Sequence, residues 1–175
     1  MFFSPPADFT PVCTSEFIAF SKLYPEFRAL DCDLLALSVD SLFSHIAWVR
    51  SIKERFGVAV PFPITEDPSM AIAAAYGMIH PDAHDASTVR ATFVIDPDGI
   101  IRAMVWYPMS IGRSVAEIFR LVQALQTSDK EAASTPEGWH PGDDLIEPAP
   151  LTIEGAEEPS PSADAPDWYY RVRKS

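Results

Sequence analysis

The stretch from Thr92 to Tyr107 constrains the fold more than any other part of the chain. Thr92-Phe93-Val94-Ile95 is β-branched and aromatic, Asp96-Pro97-Asp98-Gly99 is turn chemistry, and Ile100 to Tyr107 is again rich in apolar residues. Together they predict a β-hairpin. Upstream of it, helix and strand signals alternate. Thr10 followed by Pro11 predicts a helix start, and Phe17, Phe20, Leu23 and Phe27 recur at roughly helical spacing as far as Ala29. Leu34 to Val39 is a short apolar run, expected as a buried strand. Ser41 predicts the cap of a second helix reaching Phe56, with Ile46, Val49 and Ile52 on its inner side. A proline-bracketed strand from Phe62 to Ile64 follows, then a short helix from Met70 to Tyr76 closed by Gly77. Beyond the hairpin, Ser114 caps an amphipathic helix to Gln126, with Val115, Ile118, Leu121, Val122 and Leu125 facing inward. This order predicts an α/β fold with helices on both faces of one sheet.

The chain changes character near Ser128. From there eleven acidic residues stand against four basic ones, in a chain of 175 residues with net charge −12. Pro, Glu, Asp, Ala and Ser dominate residues 148–166, a composition that cannot bury enough apolar surface to order itself alone. Trp139 and Trp168-Tyr169-Tyr170 bracket it, and aromatics at the end of a tail pack on something. Residues 1–127 are therefore expected to form the globular domain, and residues 128–175 an acidic, proline-rich arm that docks on the domain or on a second subunit. The acidity excludes a nucleic-acid backbone as partner, which needs a basic face. No run approaches the roughly 20 apolar residues of a membrane span. Met1-Phe2-Phe3-Ser4-Pro5-Pro6 has neither the basic nor the long apolar region of a signal peptide, so a cytoplasmic location is expected.

Two cysteines are present, Cys13 and Cys32. A structural disulfide between them is not expected without a secretory signal, and Glu16 three places after Cys13 removes the CxxC pattern of disulfide exchange. With Thr10 as cap, Cys13 falls in the first helical turn, where backbone N–H groups lack intrahelical partners. Those donors and the helix dipole favour a thiolate, the reactive form of the side chain.

Pro6-Ala7-Asp8-Phe9-Thr10-Pro11-Val12-Cys13-Thr14 resembles the active-site loop of the peroxiredoxins, with its Pro-x-x-x-Thr-x-x-Cys pattern. Thr88 to Pro97 resembles the segment that supplies their catalytic arginine, and Tyr107-Pro108 with Gly112-Arg113 resembles another of their segments. Thr135-Pro136-x-x-Trp139-x-x-Gly142-Asp143 is similar to the C-terminal region of the one-cysteine, peroxiredoxin-six-type subgroup. The resemblance implies a thioredoxin-like fold with a C-terminal extension, and a thiol-dependent peroxidase that needs no metal and no cofactor. It implies that Cys13 attacks the terminal oxygen of hydrogen peroxide or a small organic hydroperoxide and becomes a sulfenic acid. Arg90 would stabilise thiolate and transition state, Thr10 would accept from the peroxide while donating towards the reacting atoms, and Pro6 would shield the sulfur from water. The amides of Val12 and Cys13 would complete an anion site, with Glu16 and Arg113 supporting the arginine. A resolving cysteine after Cys32 is lacking, so the oxidised sulfur is expected to be reduced by an outside thiol, glutathione or a thioredoxin-like protein. Family resemblance also implies a homodimer.

The sequence departs from the family in two places. Members have roughly a β-hairpin and most of a central strand before this loop, and only Met1-Phe2-Phe3 could stand for that strand, so an N-terminally truncated version of the fold, with exposed sheet edges and an opened core, is expected. Position 5 is proline where the subgroup commonly carries histidine. No Gly-x-Ser-x-Gly element occurs, so no lipase activity is expected. Competing readings are a peroxide sensor that passes its oxidation to a partner protein, and an inactive truncated paralogue acting as an oligomer subunit or chaperone-like module. His80 and His84 sit in a proline- and aspartate-containing loop and do not predict a metal pair. His45 and His140 read as ordinary polar residues, and Trp48 and Trp106 as core or interface aromatics.

Overall fold

A computed structural model describes residues 1–79, 88–158 and 166–174; His80 and His84 lie outside them. The chain forms two compact units, Met1–Val115 and Ala116–Ser175. The division falls at the start of the last long helix, not at the change of composition near its end.

The first unit runs β1 (Phe2–Phe3), α1 (Pro11–Ala29), β2 (Leu35–Ser38), α2 (Leu42–Phe56), β3 (Ile64–Glu66), α3 (Ala71–Ala75), β4 (Arg90–Ile95) and β5 (Ile101–Tyr107). Its sheet has the order β3-β2-β1-β4-β5, parallel from β3 through β1 and antiparallel from β1 to β5. The expected gap at the centre is not there. The two residues of β1 fill it, Phe2 pairing with Leu35 and Phe93, and Phe3 with Ala36 and Thr92. Strand alternation sends their rings to opposite faces. Phe2 meets Tyr76 and Phe93 on one side, while Phe3 meets Phe17, Phe20 and Phe62 on the other. Both are buried, and each contributes about 1.5–3 kcal/mol by leaving water.

Two elements differ from expectation for identifiable reasons. The third strand begins at Ile64, two residues later than predicted, because Pro61 and Pro63 have no N–H to give a ladder. Phe62 instead turns inward against Phe3, Phe17 and Tyr24. Helix α2 buries His45, Trp48 and Ile52, while Ile46 is 49% exposed. The largest ring sets the rotation: Trp48 lies 4.4 Å from Phe17, and its indole N–H donates to the Thr14 hydroxyl at 3.1 Å.

The second unit contains α4 (Val115–Glu131), β6 (Leu145–Ile146), α5 (Ile153–Glu157) and β7 (Val172–Arg173). Helix α4 outlasts its predicted end at Gln126 by more than a turn. Ala124, Ala133, Trp139 and Leu145 form a small core, and Arg120 donates to the Trp139 carbonyl at 2.9 Å. The second unit thus has a centre of its own, and β6 and β7 pair antiparallel. Trp168, Tyr169 and Tyr170 stay 43–57% exposed. No described helix is long and apolar enough to cross a membrane.

Candidate active site

Thr10 occupies the N-cap position with extended backbone, and Pro11 opens α1 with its φ already suited to a helix. The hydroxyl does not cap. It donates to the Ala7 carbonyl at 3.0 Å, so the donor role expected for it is taken and its lone pairs remain for accepting. The Thr14 amide bonds the Thr10 carbonyl at 2.9 Å, which leaves the amides of Val12 and Cys13 ahead of the first helical hydrogen bond. The Cys13 side chain is wholly buried, and Pro6 is buried beside the start of the same loop.

Helical spacing puts Glu16 on the face of Cys13, one turn on. Arg90, the first residue of β4, arrives from the sheet. Its Nη1 lies 3.4 Å from Cys13 Sγ and 3.0 Å from Glu16 Oε2. Its Nε and Nη2 both donate to the Met109 carbonyl, at 2.9 and 2.8 Å. The Met109 carbonyl and Glu16 therefore hold the guanidinium with Nη1 turned to the sulfur. Arg113 holds Glu16 in turn, through its amide at 2.7 Å, Nε at 3.1 Å and Nη2 at 2.7 Å. Arg113 Nη1 reaches the Ala91 carbonyl at 2.9 Å, and its guanidinium lies 5.2 Å from the Phe3 ring centre. Gly112 lets this loop approach α1, since a Cβ there would meet Val12 at 3.3 Å.

Glu16, Arg90 and Arg113 are buried with side-chain exposures of 2%, 3% and 0%. The three carry one net positive charge before the sulfur is counted. One guanidinium N–H of that cluster points at the sulfur.

Three features of the site were not legible in the sequence. Met109 acts through its backbone carbonyl, which no side-chain pattern marks. The loop entering the site is tied to the approach to β4, with Ser4 Oγ donating to the Val89 carbonyl at 2.6 Å and Thr88 Oγ1 to the Pro5 carbonyl at 3.0 Å. His45, read as an ordinary polar residue, is buried with its Nδ1 2.6 Å from Asp8 Oδ2. Burial pushes the Asp8 carboxyl above its ordinary value, further than His45 and Ser44 pull it down, and Asp40 pushes it the same way. An apolar groove of about 470 Å³ runs beside Thr10, with Phe9, Trp48 and Phe56 among its walls. Cys32 is a free, nearly buried thiol.

A thioredoxin-like sheet with a buried cysteine beside an arginine belongs to the class of thiol-dependent peroxidases, and the comparisons place the chain there. Residues 1–104 match the AhpC/TSA family, and residues 124–158 match the C-terminal domain of 1-Cys peroxiredoxin. A peroxiredoxin of Aquifex aeolicus is 50% identical over 183 residues, covering 98% of this chain and 82% of the relative. One from Thermoplasma volcanium is 45% identical over 174 residues, covering 99% and 85%. The solved structure of a yeast mitochondrial 1-Cys peroxiredoxin, studied for thiol resolution via glutathione/thioredoxin systems, matches with a TM-score of 0.88 and 40% identity over 99% of this chain and 85% of that one. A mutant of the peroxiredoxin 6 of Arenicola marina matches with a TM-score of 0.86 and 31% identity over 99% and 84%. The chain belongs to the AhpC/TSA family of peroxiredoxins and carries the C-terminal domain of its 1-Cys members.

Proposed function

We propose that this peroxidase reduces hydrogen peroxide and small organic hydroperoxides through Cys13 as its only catalytic cysteine. The Cys13 thiolate attacks the terminal peroxide oxygen. An S–O bond forms to give the sulfenic acid, the O–O bond breaks, and the leaving alkoxide or hydroxide takes the electron pair and then a proton from solvent water. One observation carries the reading: Arg90 Nη1 bonds Cys13 Sγ and Glu16 together, so a fixed positive charge stands where negative charge moves from sulfur to oxygen. Thr10 accepts from the incoming peroxide hydrogen, the amides of Val12 and Cys13 face the same anion, and Pro6 keeps water away. Glu16 and Arg113 position Arg90. The groove beside Thr10 suits the apolar part of an organic hydroperoxide.

The sulfenic acid is returned to the thiol from outside. One thiol condenses with it to a mixed disulfide and water, and a second thiol displaces Cys13 as a new disulfide forms. Glutathione or a thioredoxin-like protein supplies these thiols in the cytoplasm, a compartment that keeps both reduced. Cys32, beyond the C-terminal end of α1 and nearly buried, is not the resolving partner. Intact-mass analysis after one equivalent of peroxide is expected to show Cys13 gaining one oxygen that dimedone traps. A rapid Cys13–Cys32 disulfide overturns the one-cysteine mechanism.

The enzyme acts as a homodimer. β5 ends the strand order of its sheet, with Ile101, Met104 and Trp106 44–55% exposed along it, and an exposed apolar edge strand favours pairing with a second copy. In the second unit Trp168, Tyr169 and Tyr170 are exposed apolar rings as well. Sedimentation is expected to show a dimer for the wild type and a monomer for Met104→Glu; a dimer that survives this charge rules out the β5 edge.

A further inference from the structure

Asp8 and His45 form a second buried polar contact, apart from the cysteine, arginine and glutamate cluster. Asp8 lies in the loop between Pro6 and Thr10, and His45 lies on α2. Their side chains are 1% and 4% exposed, and Asp8 Oδ2 stands 2.6 Å from His45 Nδ1, a separation that only a shared proton makes attractive. Asp8 is held a second time through its amide, which donates to Asp40 Oδ2 at 2.8 Å. The same Asp40 oxygen accepts from Ser38 Oγ at 3.1 Å. The next residue, Phe9, has φ 55, a left-handed conformation that a bulky side chain holds only when its surroundings impose it. Asp8 on one side and the start of α1 on the other impose it. Thr10 follows directly, and its hydroxyl bonds back to Ala7.

Burying two ionisable groups is costly, and an apolar pair of similar size would pack as well. What an acid–histidine pair adds is direction, since its hydrogen bond fixes distance and angle where apolar packing does not. Only one edge of the ring is engaged: His45 Nε2 finds no hydrogen-bond partner among the described residues. The Nδ1 contact is therefore what a histidine supplies here. Pro6 and Thr10 belong to this loop, so its setting governs how a peroxide is oriented at the sulfur.

We propose that Asp8 and His45 are positioning residues for peroxide reduction, fixing the loop that carries Pro6 and Thr10 and thereby setting the rate of oxygen transfer to Cys13. The proposal rests on the reading of Cys13 as the peroxide-reactive cysteine. The test compares two reactions of the same sulfur in the full chain, oxidation by hydrogen peroxide and alkylation by iodoacetamide. The alkylation needs the sulfur but not the peroxide-binding geometry. Asp8→Ala and His45→Ala are expected to slow oxidation at least about tenfold while alkylation stays within about threefold of wild type. His45→Asn puts an amide near the place of Nδ1 and is expected to recover oxidation to within about threefold, whereas His45→Gln, whose amide reaches towards Nε2, stays at least about tenfold slow. If an alanine variant fails to fold by circular dichroism, the Asn and Gln variants decide the matter, because both keep a polar amide. Equal oxidation rates for those two overturn the proposal, as does a parallel fall of oxidation and alkylation in folded alanine variants. A wild-type chain whose Cys13 does not react with peroxide overturns the proposed function instead.

Discussion

Cys13→Ser is expected to bring peroxide consumption down to the uncatalysed background while leaving the fold in place. The fold survives because the replacement is nearly isosteric and Arg90 Nη1, 3.4 Å from the sulfur in the wild type, still finds an oxygen to donate to. The chemistry is lost because a serine hydroxyl is a weak nucleophile at its free pKa, and the side chain that bonds this position, Arg90, is not a base that could take its proton. The loss amounts to the whole enzymatic acceleration, which for enzymes in general begins at about 10⁶-fold. Fast mixing with hydrogen peroxide reads it through Trp48, whose indole bonds the hydroxyl of Thr14, the neighbour of Cys13. Cys32→Ser is the control and is expected to react at the wild-type rate. A Cys13→Ser protein oxidised as fast as wild type removes the central claim, and a slow Cys32→Ser protein makes the second thiol part of the reaction.

The spacing of Pro6, Thr10, Cys13 and Glu16 was readable because these residues are local. One helix start and one helical turn decide where they stand, and both follow from capping and periodicity. Arg90 and Arg113 lie 77 and 97 residues away from the groups they bond, so only resemblance to a family could bring them to Cys13 and Glu16 beforehand. Met109 could not be foreseen, because its contribution is a carbonyl oxygen whose direction depends on the turn after β5. The Asp8–His45 contact was missed for a related reason: a lone histidine on a helix has no partner until the tertiary fold supplies one. The rotation of α2 shows how packing overrides pattern. Ile46, Val49 and Ile52 make a plausible inner face, but burying the Trp48 ring against Phe17 outweighs burying Ile46. The two-residue β1 teaches the opposite lesson. Two phenylalanines on opposite faces of a sheet bring enough apolar surface to close its centre, even though the strand is short.

Glu16→Ala is expected to cost about 3–5 kcal/mol of stability, the usual consequence of removing one partner from a buried ionic cluster. The carboxylate stands between two guanidiniums that are themselves 3% and 0% exposed, so its removal leaves two buried positive charges without the carboxylate that pairs them. The two arginines are not equally affected. Arg90 loses one bond, at 3.0 Å, and keeps both of its bonds to the Met109 carbonyl. Arg113 loses three, from its amide, Nε and Nη2, and keeps the Ala91 carbonyl and the ring faces of Phe3 and Phe20. The damage to folding is thus concentrated on Arg113, and the group that faces the sulfur stays partly oriented. Glu16→Ala should therefore slow peroxide reduction only about tenfold, whereas Arg90→Ala, which removes the charge at the reacting atoms, should slow it about 10²–10³-fold. Urea unfolding checks the first half of this claim: with a slope of about 1–3 kcal/mol per molar, the midpoint of Glu16→Ala falls by about 2 M. Fast mixing of both variants with peroxide checks the second. A Glu16→Ala protein destabilised by less than about 1 kcal/mol would mean that the two guanidiniums are paired or hydrated by something other than this carboxylate. An Arg90→Ala protein as fast as wild type would leave Cys13 as the nucleophile but end the account of why it reacts.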